Sequence, residues 1–405
     1  MVTSRSVVVT GLGALTTAGH GVEALWTAAA TGVSGVKQIV LDYEFGNNLR
    51  IAAQVQDFDL ERFFPHLKTS FFDRVTLMAL IAADEAVKDA GLAEALPLGP
   101  RTSVIVGTGI ASLGTIEESS RNMALTQKRP DPLTVPRAMI SASASNVGLV
   151  YGCTGTTFVV SSACASSAQA LGIAFHMVRA GLTDRAIVVG SEAIVTPGGM
   201  KAWEMLRVLS PQLCRPFSRG RNGLLLGEGS AALVIEAEEV AAARGARIRG
   251  RLLGYGTTSD AKDMLKPDVG GAAEAMTLAL ADAGLGAEAV GYVNAHGTAT
   301  ILNDSTESEA LGRVFGEKLG TLPVSSTKPI HGHTLGAAGA IEAVVTIRAL
   351  EEGFVPPTIN FLEADPACPI DCVANVGRSH AFDVALTNSF AFGGINASLA
   401  IGRAA

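Results

Sequence analysis

The sequence predicts an α/β protein built from two similar halves packed as one body. Three observations lead there. β-Branched apolar runs alternate with segments of 3.6-residue apolar period, the alternation starts afresh at Arg247, and no low-complexity stretch or flexible linker separates the two series. The expected division is 1–248 and 249–405. At 405 residues, 48% apolar and 17% charged, the chain is long enough for two domains and should bury about three quarters of its unfolded surface.

Residues 7–10 read as a buried strand ending in Gly11-Leu12-Gly13-Ala14-Leu15-Thr16. That stretch resembles the start of a dinucleotide fingerprint, but a third glycine is missing and no acidic residue closes a following strand. A tight turn using glycine freedom is the preferred reading. Residues 22–31 and 74–90 read as amphipathic helices, and 103–107 as a buried strand entering a turn that contains Ile110. Pro130-Asp131-Pro132 breaks the chain before a small-residue helix at 139–146. A buried strand at 158–160 then gives way to a helix with apolar positions at Ala170, Ile173, Ala174, Met177 and Val178. A strand at 185–190, a loop-rich region at 196–222, a strand at 231–236 and a charged helix at 238–245 complete the first half. The second half reads as a strand near 251–254, a helix at 272–283 and a strand at 289–295. Two helical segments bracket a short strand at 324–325, and strands at 385–388 and 398–401 close the chain.

The net charge is −7 and no basic tract is present, which argues against nucleic-acid binding; acidic partner proteins are not excluded. No apolar run approaches a membrane span. The N-terminal residues lead at once into a strand with no signal peptide, so a cytoplasmic location is expected. Five cysteines at 153, 164, 214, 368 and 372 are irregularly spaced, which argues against a disulfide framework and for a reducing compartment. Cys368 and Cys372 lack companions at metal-ligand spacing and read as structural, and no metal site is expected.

Cys164 stands where strand becomes helix, among small residues that let a substrate approach. The helix N-terminus there is expected to lower its pKa from about 8.5 and favour a thiolate. Three glycine-flanked polar clusters follow apolar strands in the second half. Residues 294–300 carry His296. Residues 325–339 carry Lys328, His331 and His333 ahead of a helix that continues through Glu342. Residues 388–396 form a glycine turn whose backbone N–H groups can face an oxyanion. One cysteine at a helix tip, two histidines on strand-end turns and a glycine turn make a coherent site for thioester chemistry.

With these clusters in view, the sequence resembles an elongating β-ketoacyl-[acyl-carrier-protein] synthase, a type II ketosynthase. The motifs are Val-Val-Val-Thr-Gly-Leu-Gly at 7–13, Ser-Ala-Cys-Ala-Ser-Ser at 162–167, Asn-Ala-His-Gly-Thr at 294–298, Ser-Thr-Lys at 326–328, Gly-His-x-x-Gly-Ala-Ala-Gly at 332–339 and Asn-Ser-Phe-x-Phe-Gly-Gly at 388–394. The resemblance implies the thiolase fold, two similar α/β halves in a five-layered αβαβα body, and a dimer. That dimer would be either homodimeric or paired with a chain-length-factor-like homologue. Substrates would arrive on the phosphopantetheine of an acyl carrier protein, with no metal or organic cofactor. Cys164 would be the acylated nucleophile, and His296 and His333 would hold the malonyl thioester carbonyl and promote decarboxylation. Lys328 would tune the charge of the site, with Glu342 the buried acid beyond it. Phe392 would be the gate, its N–H forming the oxyanion hole with that of Cys164. Thr298 and Thr300 would contact the phosphopantetheine arm, and Phe390, Ile110 and Trp203 the substrate. His331 is expected at the rim or just behind the substrate.

The chain departs from the usual fatty-acid pattern at several points. Ile301-Leu302-Asn303-Asp304 replaces Pro-Leu-Gly-Asp, Ala391 replaces a glycine between the two phenylalanines, and Asn222 and Leu224 replace Asp and Phe. Leu133-Thr134 stands where bulky aromatics are common. These differences point to polyketide or aryl-polyene synthesis, with the housekeeping fatty-acid enzyme as the alternative. A non-catalytic chain-length subunit normally lacks the cysteine. A degradative thiolase would carry a second cysteine near 388–396, and an initiating synthase would carry asparagine in place of His333.

Overall fold

The computed structural model describes residues 4–43, 45–56, 58–127 and 129–404. Met1, Val2 and Thr3, part of the expected lead into the first strand, lie outside the described residues. In the first half, β1 (Val7–Thr16), β2 (Thr102–Gly107), β3 (Thr157–Val160), β4 (Arg185–Glu192) and β5 (Gly229–Ala237) lie in the order β3-β2-β4-β5-β1. In the second, β6 (Gly250–Ser259), β7 (Tyr292–Asn294), β8 (Pro323–Ser325), β9 (Val384–Ala391) and β10 (Ile395–Arg403) lie in the order β8-β7-β9-β10-β6. Each half therefore reads third, second, fourth, fifth, first. In each, the third, second and fourth strands are parallel and the fifth is antiparallel to both neighbours. The two sheets join where β1 and β6 pair, Val7 opposite Leu252 and Val9 opposite Gly250.

Helices complete five layers. α1 (Arg74–Asp89) and α2 (Ala142–Tyr151) cover the outer face of the first sheet, and α4 (Val269–Ala283) with α5 (Ile301–Phe315) that of the second. Between the sheets lie α3 (Ser166–Arg179) and α6 (Ala338–Glu352), in contact with each other. α6 is buried continuously from Ala338 to Leu350, as a helix apolar on nearly every face must be, and it carries Glu342 into the core. Because the order repeats, the third strand of each half leads to a central helix that a 3-10 turn opens, directly in the first half and after the short helix Lys328–His331 in the second. One such turn holds Cys164 and the other follows His333, so the topology itself brings the two residues together.

Three expectations are corrected. The glycines at 11 and 13 are not a turn: β1 runs through them to Thr16. A Cβ on Gly11 would lie 2.1 Å from the Ala86 carbonyl oxygen, and one on Gly13 2.0 Å from that of Ala82, so these glycines let α1 lie against the strand. β3 is not fully buried; it is the edge of the sheet and its side chains are half-exposed. The loop-rich region contains the helix Pro197–Met205, opened by Pro at N1 and by the Thr196 hydroxyl accepting from Gly199 N–H. The expected helix at 139–146 is observed as Ala142–Tyr151, and Leu113–Thr126 is a helix that the pattern did not reveal. Among the described residues no helix is long and apolar enough to cross a membrane.

Candidate active site

Cys164 lies on a 3-10 turn, Ala163–Ala165, between β3 and α3. Ala163 holds φ +48°, a left-handed conformation costly for a residue with a side chain, and Ser166 secures it. The Ser166 hydroxyl accepts from Ser162 N–H at 2.9 Å and donates to the Ala163 carbonyl at 2.6 Å. His296 follows β7, and its backbone N–H with that of Gly297 is held by the two carboxylate oxygens of Glu307, each at 2.8 Å. His333 is clamped at both backbone atoms, donating to the Leu225 carbonyl at 2.7 Å and accepting from Gly227 N–H at 2.9 Å.

These supports bring the three side chains together. His333 Nε2 lies 3.1 Å from Cys164 Sγ, and the His296 and His333 rings meet edge to face with centroids 5.3 Å apart. Nδ1 of each ring is buried with no hydrogen-bond partner. Burial, then the Lys328 charge, holds both imidazoles well below the ordinary histidine pKa, so both are neutral. Behind them the Lys328 ammonium pairs with the Glu342 carboxylate, both wholly buried.

The comparisons decide the family. Residues 4–241 match the model of the beta-ketoacyl synthase N-terminal domain, and 249–362 that of its C-terminal domain. The chain is 42% identical to nodulation protein E of Rhizobium sp. (strain N33), over 98% of each protein. It is 37% identical to 3-oxoacyl-[acyl-carrier-protein] synthase 2 of Synechocystis sp. (strain ATCC 27184 / PCC 6803 / Kazusa), over 98% of this chain and 97% of that one. Among solved structures, the ishigamide ketosynthase/chain length factor superposes with a TM-score of 0.95 at 34% identity, covering 99% of this chain and all of the other. The chain belongs to the beta-ketoacyl synthase family. It is a β-ketoacyl-ACP synthase of the type II class with the thiolase fold, an acyltransferase that carries out carbon–carbon condensation, and its family works on carrier-bound substrates.

The synthase has a cavity of about 240 Å³ in front of the triad, lined by Cys164, His296 and His333. Thr298 and Thr300, whose hydroxyls lie 3.0 Å apart, form part of its wall, as do Phe390, Phe392 and Trp203. The indole of Trp203 stacks on the Phe392 ring at 5.8 Å between centroids and 18° between planes. The sequence departures at Asn222, Leu224, Ala391, Ile301 and Asn303 line this same cavity; Leu133 and Thr134 do not. Met264 and Leu265 also line it, a contribution that sequence reading missed. The Met264 carbonyl accepts from Gly393 N–H at 2.8 Å, tying that loop to the turn after Phe392.

Two expectations need correction and a third is narrowed. Cys164 is 5% exposed, and burial pushes its thiol up to about 12; the Lys328 charge and the Phe392 N–H, which donates to the sulfur, oppose the rise, while Glu192 and Glu342 add to it. Burial disfavours the charged sulfur and works against the pull of the helix N-terminus, so the thiol form is favoured beside a neutral imidazole. Of the two places expected for His331 the rim is excluded: it is wholly buried behind the cavity lining, Nδ1 2.8 Å from the Gly332 carbonyl oxygen and Nε2 3.0 Å from the Thr327 hydroxyl, and burial lowers it to about 3. Ile110 does not line the cavity; its side chain is 43% exposed because its turn aims its N–H groups inward, at Glu192. Lys328 and Glu342, expected as a charge-tuning lysine and the buried acid beyond it, do not line the cavity and pair with each other behind its wall.

Glu307 was also missed. Its signal is the spacing of Asp304 and Glu307 on one face of α5, a face that Ser308 and Leu311 show to be buried. Burial raises Glu307 to about 7 against the pull of the two N–H donors. The described cysteines are free, and among the described residues no group of three His, Cys, Asp or Glu side chains could hold a metal.

The thiol at rest sets a pH prediction. Thiolate is the form that reacts, so alkylation of Cys164 by iodoacetamide is expected to accelerate about tenfold per pH unit from 7 to 10. A plateau below pH 9, followed by peptide mass spectrometry, would contradict the burial argument.

Proposed function

We propose that the synthase extends a chain held as a thioester on Cys164 by two carbons per condensation, with malonyl units delivered by an acyl carrier protein. The observation that carries this is the contact of Cys164 Sγ with His333 Nε2 at 3.1 Å, with the His296 ring beside it in one cavity. As sulfur attacks the incoming acyl thioester, His333 takes its proton and passes it to the departing carrier thiol. Malonyl thioester then binds with its carbonyl oxygen facing the two imidazoles. Loss of carbon dioxide leaves an enolate on that oxygen, which neutral N–H donors stabilise without surrendering a proton. The enolate carbon attacks the acyl group, and the Cys164 thiolate leaves. The backbone N–H groups of Phe392 and Cys164 hold the oxyanion, each worth about 3–4 kcal/mol at the transition state. Thr298 and Thr300 hold the phosphopantetheine arm, and Phe392 with Trp203 forms the gate. No metal or organic cofactor enters these steps.

The product is assigned to polyketide or polyene biosynthesis rather than housekeeping fatty-acid synthesis. Support comes from the altered residues grouped on one cavity and from the likeness to the ishigamide ketosynthase/chain length factor. Acylation by a panel of carrier-bound chains tests this: conjugated chains should load faster, and a clear preference for long saturated ones would return the synthase to the fatty-acid reading. A second chain of the same fold, identical or of the chain-length-factor type, is assigned to the β3 edge. That edge is half-exposed and flanked by exposed Val135, Ile140 and Leu149. We read the chain as dividing at 248/249 and place it in a reducing, cytoplasmic compartment, in keeping with its free cysteines.

Loss of the stack should loosen the gate. Trp203→Ala is expected to raise the rate at which a bulky maleimide, relative to iodoacetamide, reaches Cys164 by about fivefold, in line with about 1 kcal/mol for an aromatic pair. An unchanged ratio would remove Trp203 from the gate.

A further inference from the structure

Glu192 ends β4 with its carboxylate wholly buried, and the condensation described above gives it no part. Its Oε2 accepts from the N–H of Gly109 at 2.6 Å and of Gly336 at 3.0 Å. Its Oε1 accepts from the N–H of Ile110 at 3.2 Å and from the Thr108 hydroxyl at 3.3 Å. These donors come from two segments 225 or more positions apart in the chain. The first, after β2, lies against the nucleophile turn: the Gly109 carbonyl accepts from the Ser161 hydroxyl at 3.2 Å. The second is the turn Leu335–Ala337, which begins two residues after His333. The segments approach so closely that a Cβ on Gly336 would lie 2.2 Å from Gly109 N. One carboxylate thus sits between the shell of the nucleophile and the shell of its histidine.

We propose that Glu192 is the positioning residue that sets the separation of Cys164 Sγ and His333 Nε2, by binding the 108–110 turn of the first half to the Leu335–Ala337 turn of the second. The inference rests on the roles given above to Cys164 and His333. A carboxylate is required: with all four contacts to oxygen, a glutamine in the same place must turn its amide N–H toward a backbone N–H on one side or the other. A misplacement of about 1 Å between reacting groups is enough to cost about 100-fold in rate.

The charged groups around the thiol provide a readout that simple loss of folding would not move. Lys328 favours the thiolate, Glu192 and Glu342 oppose it, and the neighbouring His296 and His333 are neutral. In full-length Glu192→Gln, condensation per alkylatable Cys164 is expected to fall about 100-fold while KM for malonyl-carrier stays within twofold. At pH 8, iodoacetamide alkylation of Cys164 should instead become several-fold faster, because a negative charge has been removed. Glu192→Asp keeps the charge and shortens the reach, so condensation should fall with no gain in alkylation. Condensation within threefold of the parent in Glu192→Gln overturns the proposal, as does a parallel loss of condensation and alkylation. If neither variant folds, Thr108→Val removes, at constant charge, the hydroxyl's contact with Glu192 and its acceptance from Ala111 N–H at 3.1 Å. Measured on folded protein, it should lower condensation per alkylatable Cys164 about fivefold with KM for malonyl-carrier within twofold; no change overturns the proposal. A parent protein that never acylates Cys164 would instead sink the assignment of the nucleophile.

Discussion

Cys164→Ala is expected to lose condensation by about 10⁵-fold or more, the scale seen when a covalent nucleophile is deleted from a catalytic unit. No other described cysteine can replace it: of the five, Cys164 alone lines the cavity with His296 and His333. Decarboxylation of malonyl-carrier should persist in this variant, because His296 and His333 remain and their supports, Glu307 and the 225–227 backbone, do not touch the sulfur. Product analysis separates the two, with 3-oxoacyl chains absent and carbon dioxide still released. Loss of both at once would mean that the thiol also shapes the malonyl site.

Lys328→Met should give the largest change in stability. It strands the Glu342 carboxylate in a wholly buried site whose second oxygen already lacks a hydrogen-bond partner. Breaking a buried pair from one side costs about 3–5 kcal/mol. The deficit depends on pH. Burial already holds Glu342 above the ordinary carboxylate range, and without Lys328 nothing opposes that rise. A carboxyl whose folded pKa lies above its unfolded value contributes stability that is fully present below the unfolded value and is lost as pH rises through the folded one. The variant should therefore sit closest to the parent near pH 5 and fall furthest below it at pH 8. The double change Lys328→Met with Glu342→Leu should recover much of the loss, because no buried charge remains. Denaturant melts at the two pH values check both points; equal deficits would show that Glu342 is not the strained partner.

What the sequence revealed and what it hid follow from the range of the forces involved. Cys164, His296 and His333 were readable because each stands on a short turn after an apolar strand, where local pattern and local structure coincide. The thiol's acidity was misjudged for the same reason. A helix tip is visible in sequence, but the burial that overrides it depends on packing from the other half of the chain, such as His333, 169 positions away against the sulfur. Glu192 and Glu307 escaped because both act by accepting backbone N–H groups, and Gly336 lies 144 positions from Glu192. Gly11 and Gly13 read as a turn because glycine freedom is the common reason for glycine, whereas here α1 needs the space. β3 looked buried because a β-branched run is the same at an edge as in a sheet centre; only topology distinguishes them. The helix Pro197–Met205 carried its own signal, Thr then Pro, within a region dominated by turn residues.

The most direct test of the account is the mass of the Cys164 peptide before and after malonyl-carrier is added to protein preloaded with an acyl-carrier. The account predicts one acyl adduct on Cys164 that disappears on the chase, with the chain recovered on the carrier two carbons longer and bearing a 3-oxo group. An adduct on another residue, or one on Cys164 that the chase leaves in place, would contradict it.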